Sequence, residues 1–108
     1  MKHNNLDKMV NGWFIGAFEP TVISTEAFEV AVKKYSAGEK ESAHHHKIAT
    51  EVTLILNGEV LMNGQKWIDG DIITLNPGEV TDFEALTDVV TVVVKTPSVN
   101  DDKYLDNI

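Results

Sequence analysis

His44, His45 and His46 form an unbroken run in the middle of the chain, and Glu51 follows five residues after the last of them. The only other histidine is His3, and there is no cysteine. On a strand, residues two apart project to the same side, so His44 and His46 point together while His45 points away. A short reversal over Lys47–Thr50 would set Glu51 on the adjacent strand, where two imidazoles and one carboxylate converge. That ligand set suits Fe(II), Mn or a similar divalent ion and leaves coordination positions open for substrate. The carboxylate argues against Cu(I), and the lack of Cys argues against a structural zinc site. Two plainer readings stand beside this one. The run could be a leftover affinity tag, although tags are usually longer and terminal. It could also be a solvated loop.

The elements that must position these side chains read as strands. Val, Ile, Thr, Phe and Tyr cluster in short runs, punctuated by Gly, Asn, Asp and Pro. The expected strands are Trp13–Phe18, Phe28–Tyr35, Ala43–Ile48, Glu51–Leu56, Val60–Met62, Gln65–Ile68, Asp71–Leu75, Val80–Ala85 and Val89–Lys95. Asn63-Gly64, between two of them, accepts the positive φ that a two-residue hairpin needs at both central positions. Asn57-Gly58, Asp69-Gly70 and Asn76-Pro77-Gly78 supply further turns. Only Asn5–Val10 looks helical, and for no more than one turn. Many closely spaced strands with almost no helix predict an all-β sandwich or barrel.

Gly38, His44, His46, Glu51 and Gly58 carry a more specific signal, because their spacing as a set resembles the first conserved motif of the cupin family. The resemblance covers roughly residues 30–94. It implies a double-stranded β-barrel of the jelly-roll type, and often a divalent metal held by two His, a Glu and a further His. The metal would be Fe, Mn, Ni or Zn, held here by His44, His46 and Glu51. The family's activities range over dioxygenases, sugar isomerases and epimerases, decarboxylases and non-enzymatic binders. The second cupin motif is degenerate. Aligned on Gly70 and Gly78, the position of the fourth His ligand holds Thr81, and the position of the final Asn holds Ala85. Thr81 is a weak ligand. Asp82 is a better one but lies one residue out of register, so it faces outward unless a bulge re-aims it. Thr53 shares the face of Glu51 and is expected to line the pocket. The function implied is binding of, or action on, a small polar molecule, sugar-like among the candidates, with no catalytic base assigned. The alternative is a metal-free cupin that binds a small molecule without turnover.

Composition bounds the partners. The chain has 108 residues, the length of one domain, with a core over about residues 13–96, an N-terminal arm over 1–12 and a C-terminal tail over 97–108. Its nine basic residues are all Lys against 17 acidic ones, a net charge of −8. An acidic chain without Arg is a poor partner for nucleic acid or an anionic membrane surface. No signal-peptide pattern opens the chain and no apolar run approaches a membrane span, so a cytoplasmic protein is expected. Val89–Lys95 and Glu51–Leu56 are apolar on both faces, so both faces must be covered. A small barrel has one interior; the outer cover is expected to be a second subunit, with the N-terminal segment as the alternative. Trp67 is expected in the core or an interface rather than as a ligand platform. Lys33 and Tyr35 share a strand face with Glu29 and Ala31; either could reach the pocket mouth, with surface placement the better expectation. The tail, with Asp101, Asp102 and Asp106, reads as solvated or docked on a partner.

Overall fold

Among residues 1–106, which the computed structural model describes, ten strands form around one short 3-10 turn at Leu6–Lys8. The strands are β1 (Trp13–Ile15), β2 (Glu29–Tyr35), β3 (Lys40–His46), β4 (Thr50–Asn57), β5 (Glu59–Met62), β6 (Gln65–Ile68), β7 (Ile72–Leu75), β8 (Thr81–Ala85), β9 (Val89–Thr96) and β10 (Lys103–Leu105). They build two antiparallel five-stranded sheets, in the orders β1-β2-β9-β4-β7 and β10-β3-β8-β5-β6. This is an all-β double-sheet barrel, as the strand pattern predicts. No described helix is long and apolar enough to cross a membrane.

Side chains on the inner faces change character along the barrel. At one end Ile55, Val60, Met62, Phe83, Ala85 and Val89 form a buried cluster, with Tyr35, Trp67, Ile73 and Leu75 packed against it. Trp67 therefore serves the core. Two residues further along the same strands, the inward positions turn polar: Thr53 and Glu51 on β4, Thr91 and then Lys95 on β9, Thr81 on β8. The period-2 alternation that buries Ile55 thus also aims Glu51 into the barrel. The apolar end supplies the packing, and the polar end supplies the chemistry.

Turn residues set the register. Asn63 and Gly64 both take positive φ, at 52° and 75°, and close the β5–β6 hairpin as the sequence predicts. Gly58, at φ 109°, lies so close to the Asp88 carbonyl that a Cβ there would collide with it.

Four expectations about the elements are corrected. The first strand ends at Ile15 rather than Phe18, where Gly16 leaves the ladder at φ 154°. The strand carrying the histidines runs Lys40–His46 rather than Ala43–Ile48, because residues 47–49 form a turn held by Asp102. That turn crosses from one sheet to the other, so Glu51 faces His46 across the barrel instead of lying beside it in one sheet. Part of the tail docks on the barrel itself, although Lys103, Tyr104 and Leu105 stay exposed. Its Lys103–Leu105 adds a strand to β3, pairing with His46, His45 and His44 in turn.

Outside the barrel, the N-terminal arm covers part of one sheet, with Leu6, Met9, Phe14 and Val22 gathered over Val32. Further along that sheet Leu56 and Ile72 remain 54% and 65% exposed.

Candidate metal centre

His44 and His46 lie on β3, whose last three residues pair with β10, and His44 also pairs with Thr81 of β8. Both rings are buried, and both use Nδ1 to donate to a backbone carbonyl: His44 to Ser42 at 2.9 Å, His46 to Asp102 at 3.0 Å. A carbonyl can only accept, so the proton sits on Nδ1 and Nε2 is left as the ligating atom. This outer hydrogen bond fixes ring orientation, as metal-binding histidines require. Glu51 brings its Oε2 within 3.0 Å of His46 Nε2 from the facing sheet, and its Oε1 accepts from the Thr53 hydroxyl at 3.4 Å. One ligand atom from each of His44, His46 and Glu51 lies within 4.8 Å of the other two. His45 points away, its Nδ1 2.8 Å from Asp106 and its ring stacked on Tyr104.

Burial raises the pKa of the Glu51 carboxyl, but the close polar contact with His46 and the nearby Lys95 charge outweigh it, so the net pKa is lowered. Glu51 is an anion at neutral pH. Two neutral imidazoles of fixed tautomer and one carboxylate fit a divalent cation of the kind that takes mixed nitrogen and oxygen ligands. His44, His46 and Glu51 could hold such an ion. Bound there, it would act as a Lewis acid on a substrate oxygen.

The three residues line a cavity of about 60 Å³ together with Thr53 and Thr81. Thr81 is 2% exposed and pairs directly with His44 across the sheet, and its hydroxyl donates to the Asp82 carbonyl at 2.7 Å. Asp82 does not reach the site. Its side chain is on the outer face, where Oδ1 accepts from the Asn63 amide at 2.7 Å and braces the hairpin. No bulge re-aims it, so a fourth ligand from Asp82 is ruled out by register.

Further residues line the cavity. Lys33 and Tyr35 reach its mouth rather than the surface, with Trp13 set against Lys33 at that end of β2. Glu41 joins them through a bulge: Glu41 pairs with Phe83 and His44 with Thr81, so β3 carries one extra residue there. The bulge restores Glu41 to the inner face, against its parity with His44. Its Oε1 accepts from the Tyr35 hydroxyl at 3.1 Å, and burial together with Glu41 pushes the Tyr35 phenol far up, so it stays a donor. Lys95 and Lys103 complete the rim. Lys95 shares the inward parity of Thr91 and Val93 and was legible on that ground; Lys103 depends on the tail strand.

Asp102 is the other residue the sequence did not single out for the site. Its carboxylate accepts from the consecutive amides of Lys47, Ile48 and Ala49 at 2.9–3.2 Å, while its backbone carbonyl accepts from His46 Nδ1. One residue therefore holds both His46 and the turn that leads to Glu51.

No protein-family model matches the chain, and no curated protein matches it. Solved structures do. A conserved protein with a double-stranded β-helix domain from Klebsiella pneumoniae superposes with a TM-score of 0.71 at 23% identity, covering 81% of this chain and 76% of that one. An RmlC-like cupin from Shewanella frigidimarina gives 0.65 at 18% identity, over 70% and 71%. A sugar phosphate isomerase of the cupin superfamily from Silicibacter pomeroyi gives 0.64 at 19% identity, over 76% and 58%. The chain is a small domain with the cupin fold, a double-stranded β-helix.

Proposed function

We propose that this cupin domain binds a divalent metal ion through His44, His46 and Glu51 and presents it to a small polar molecule, sugar-like among the candidates. The observation that carries the reading is the pair of Nδ1 hydrogen bonds to backbone carbonyls, which leaves both Nε2 atoms for coordination opposite an ionised Glu51. Histidines that served only packing would not need both tautomers fixed the same way. The similarity to a sugar phosphate isomerase supports a polar substrate, at the level of fold. In this reading the protein's own part is to hold the ligand set, exclude water from a small cavity and orient the substrate with Thr53, Thr81 and the Tyr35 hydroxyl. The site has three protein ligands, with solvent in the place that Thr81 leaves. The reading also includes a homodimer formed over the outer sheet face around Leu56 and Ile72, and a cytoplasmic setting.

The test is metal analysis of protein purified without a metal-affinity column, followed by titration of chelator-treated protein with Fe(II), Mn(II), Ni(II) and Zn(II). One ion per chain, lost in His44→Ala and His46→Ala, is the expected result. A well-folded protein that takes up none of the four ions refutes the metal reading and leaves the metal-free binder.

A further inference from the structure

Three of the nine lysines of this acidic chain, Lys33, Lys95 and Lys103, line the cavity that holds His44, His46 and Glu51. They arrive from three different strands, β2, β9 and β10. Lys95 already has a counterion, with its Nζ 3.7 Å from a Glu29 carboxylate oxygen. Among the described residues, neither Lys33 nor Lys103 has a carboxylate within 4.0 Å. The Trp13 ring centroid lies 5.3 Å from the Lys33 Nζ.

The charged groups facing Lys33 are Glu41, Lys95, Lys103 and Glu51. Glu41 is engaged by Tyr35 and Glu51 by His46. Burial pushes the Lys33 ammonium below its ordinary pKa; Glu41 opposes this, and Lys95 and Lys103 add to it. A part-buried ammonium without a counterion is costly, and an incoming anion relieves that cost.

A second observation points to the same place. Thr91 is the cross-strand partner of Lys33 and lines the same cavity. It is 1% exposed, and its hydroxyl has no hydrogen-bond partner among the described residues. Buried hydroxyls are nearly always partnered, and an orphan at a cavity wall marks a place for a ligand atom.

We infer that the cavity recognises its small molecule by an anionic oxygen group, a carboxylate or a phosphate, held by the ammoniums of Lys33 and Lys103 and the hydroxyl of Thr91. This rests on the reading of the cavity as the small-molecule site and names the class of molecule it takes. The volume of about 60 Å³ admits a compact head group only. The rest of a larger ligand lies in the adjoining cavity of about 430 Å³, which shares Trp13, His46, Lys95 and Lys103 with the first. Such a ligand is an organic acid or a phosphate ester rather than a neutral sugar.

Calorimetric titration of the full chain tests this, in metal-free and nickel-loaded forms, with malonate, inorganic phosphate and the uncharged malonamide. Malonate or phosphate is expected to bind while malonamide does not, and the stronger of the two anions identifies the head group. Lys33→Gln and Lys103→Gln are each expected to weaken anion binding by about tenfold, the scale of one lost charge-assisted contact. Lys66→Gln, which removes a lysine paired with Glu59 on the surface, is expected to leave it unchanged. Lys103 is exposed, so its variant keeps the test valid if Lys33→Gln fails to fold. Equal binding of malonate and malonamide, no binding of either anion, or unchanged binding in Lys103→Gln overturns the inference. Anion binding with the lysine dependence intact in a protein that takes up no metal would overturn the metal reading and uphold this one.

Discussion

Replacing Asp102 by Ala removes the carboxylate that collects three successive backbone amides, and the structure sets the size of the loss. Ala49 is buried, so its amide is left without water or partner, at a cost of about 2 kcal/mol. Lys47 and Ile48 are exposed, and water replaces much of what their amides lose, at roughly 0.5 kcal/mol each. The sum is about 3 kcal/mol, against the roughly 5–15 kcal/mol that holds an ordinary domain together. A fall in Tm of about 12 °C or more follows for a chain of this size. The pH dependence has a definite sign. Burial raises the pKa of the Asp102 carboxyl, but the hydrogen bonds from the amides of Ala49, Ile48 and Lys47 outweigh it and hold it below its ordinary value. A lowered pKa in the folded state means that the contribution is complete above the unfolded value near ~3.9 and is lost as pH falls through the folded value. Urea denaturation of wild type, Asp102→Ala and Asp102→Asn at pH 7, 5 and 3 reads all of this. The gap between wild type and Asp102→Asn should be full at pH 7 and 5 and should shrink at pH 3. A loss under about 1 kcal/mol for Asp102→Ala at pH 7, where three amides are at stake, refutes the assignment. So does a gap that is the same at all three pH values.

The candidate metal centre gives two further expectations, and the outer sheet face a third. Thr81→His places a fourth ligand, a third imidazole, opposite His44 and should tighten Zn(II) or Ni(II) binding, by about tenfold or more in a competition titration. Glu51→Gln keeps the shape and removes the charge, and should weaken metal binding by at least about tenfold while the far-ultraviolet circular dichroism stays that of wild type. Light scattering at micromolar concentration should give about twice the chain mass of 12.0 kDa, and Leu56→Lys with Ile72→Lys should return the protein to a single chain. A wild-type mass near 12.0 kDa would sink the dimer.

The convergence of His44, His46 and Glu51 was legible because it depends on strand parity and one reversal, both local properties of the chain. The core was legible for the same reason, with Ile55 and Val89 standing on the inward parity of their strands. What escaped depends on distant contacts. Glu41 has the wrong parity for the cavity, and only the bulge opposite Phe83 and Thr81 corrects it. Lys33 has the right parity, but its character suggested solvent; Trp13 and the ends of β9 and β10 enclose it. The three-residue strand at Lys103–Leu105 has too short a pattern to register, and Asp102 looked like one of several tail acids. Its role comes from a turn more than fifty positions earlier in the chain.

The clamp on His46 also dictates when the site can come into being during synthesis. His46 and Asp102 are separated by 56 positions, so a nascent chain holds the first ligand long before it holds the carbonyl that orients it. At ribosomal rates of about 5–20 residues per second, that interval is roughly 3–11 s. Through it, both ligand-bearing histidines are present but β3 lacks its outer neighbour, and the turn toward Glu51 has nothing to gather its amides. The geometry of the candidate site is therefore a late acquisition of the growing polypeptide, which until then carries its histidines loose.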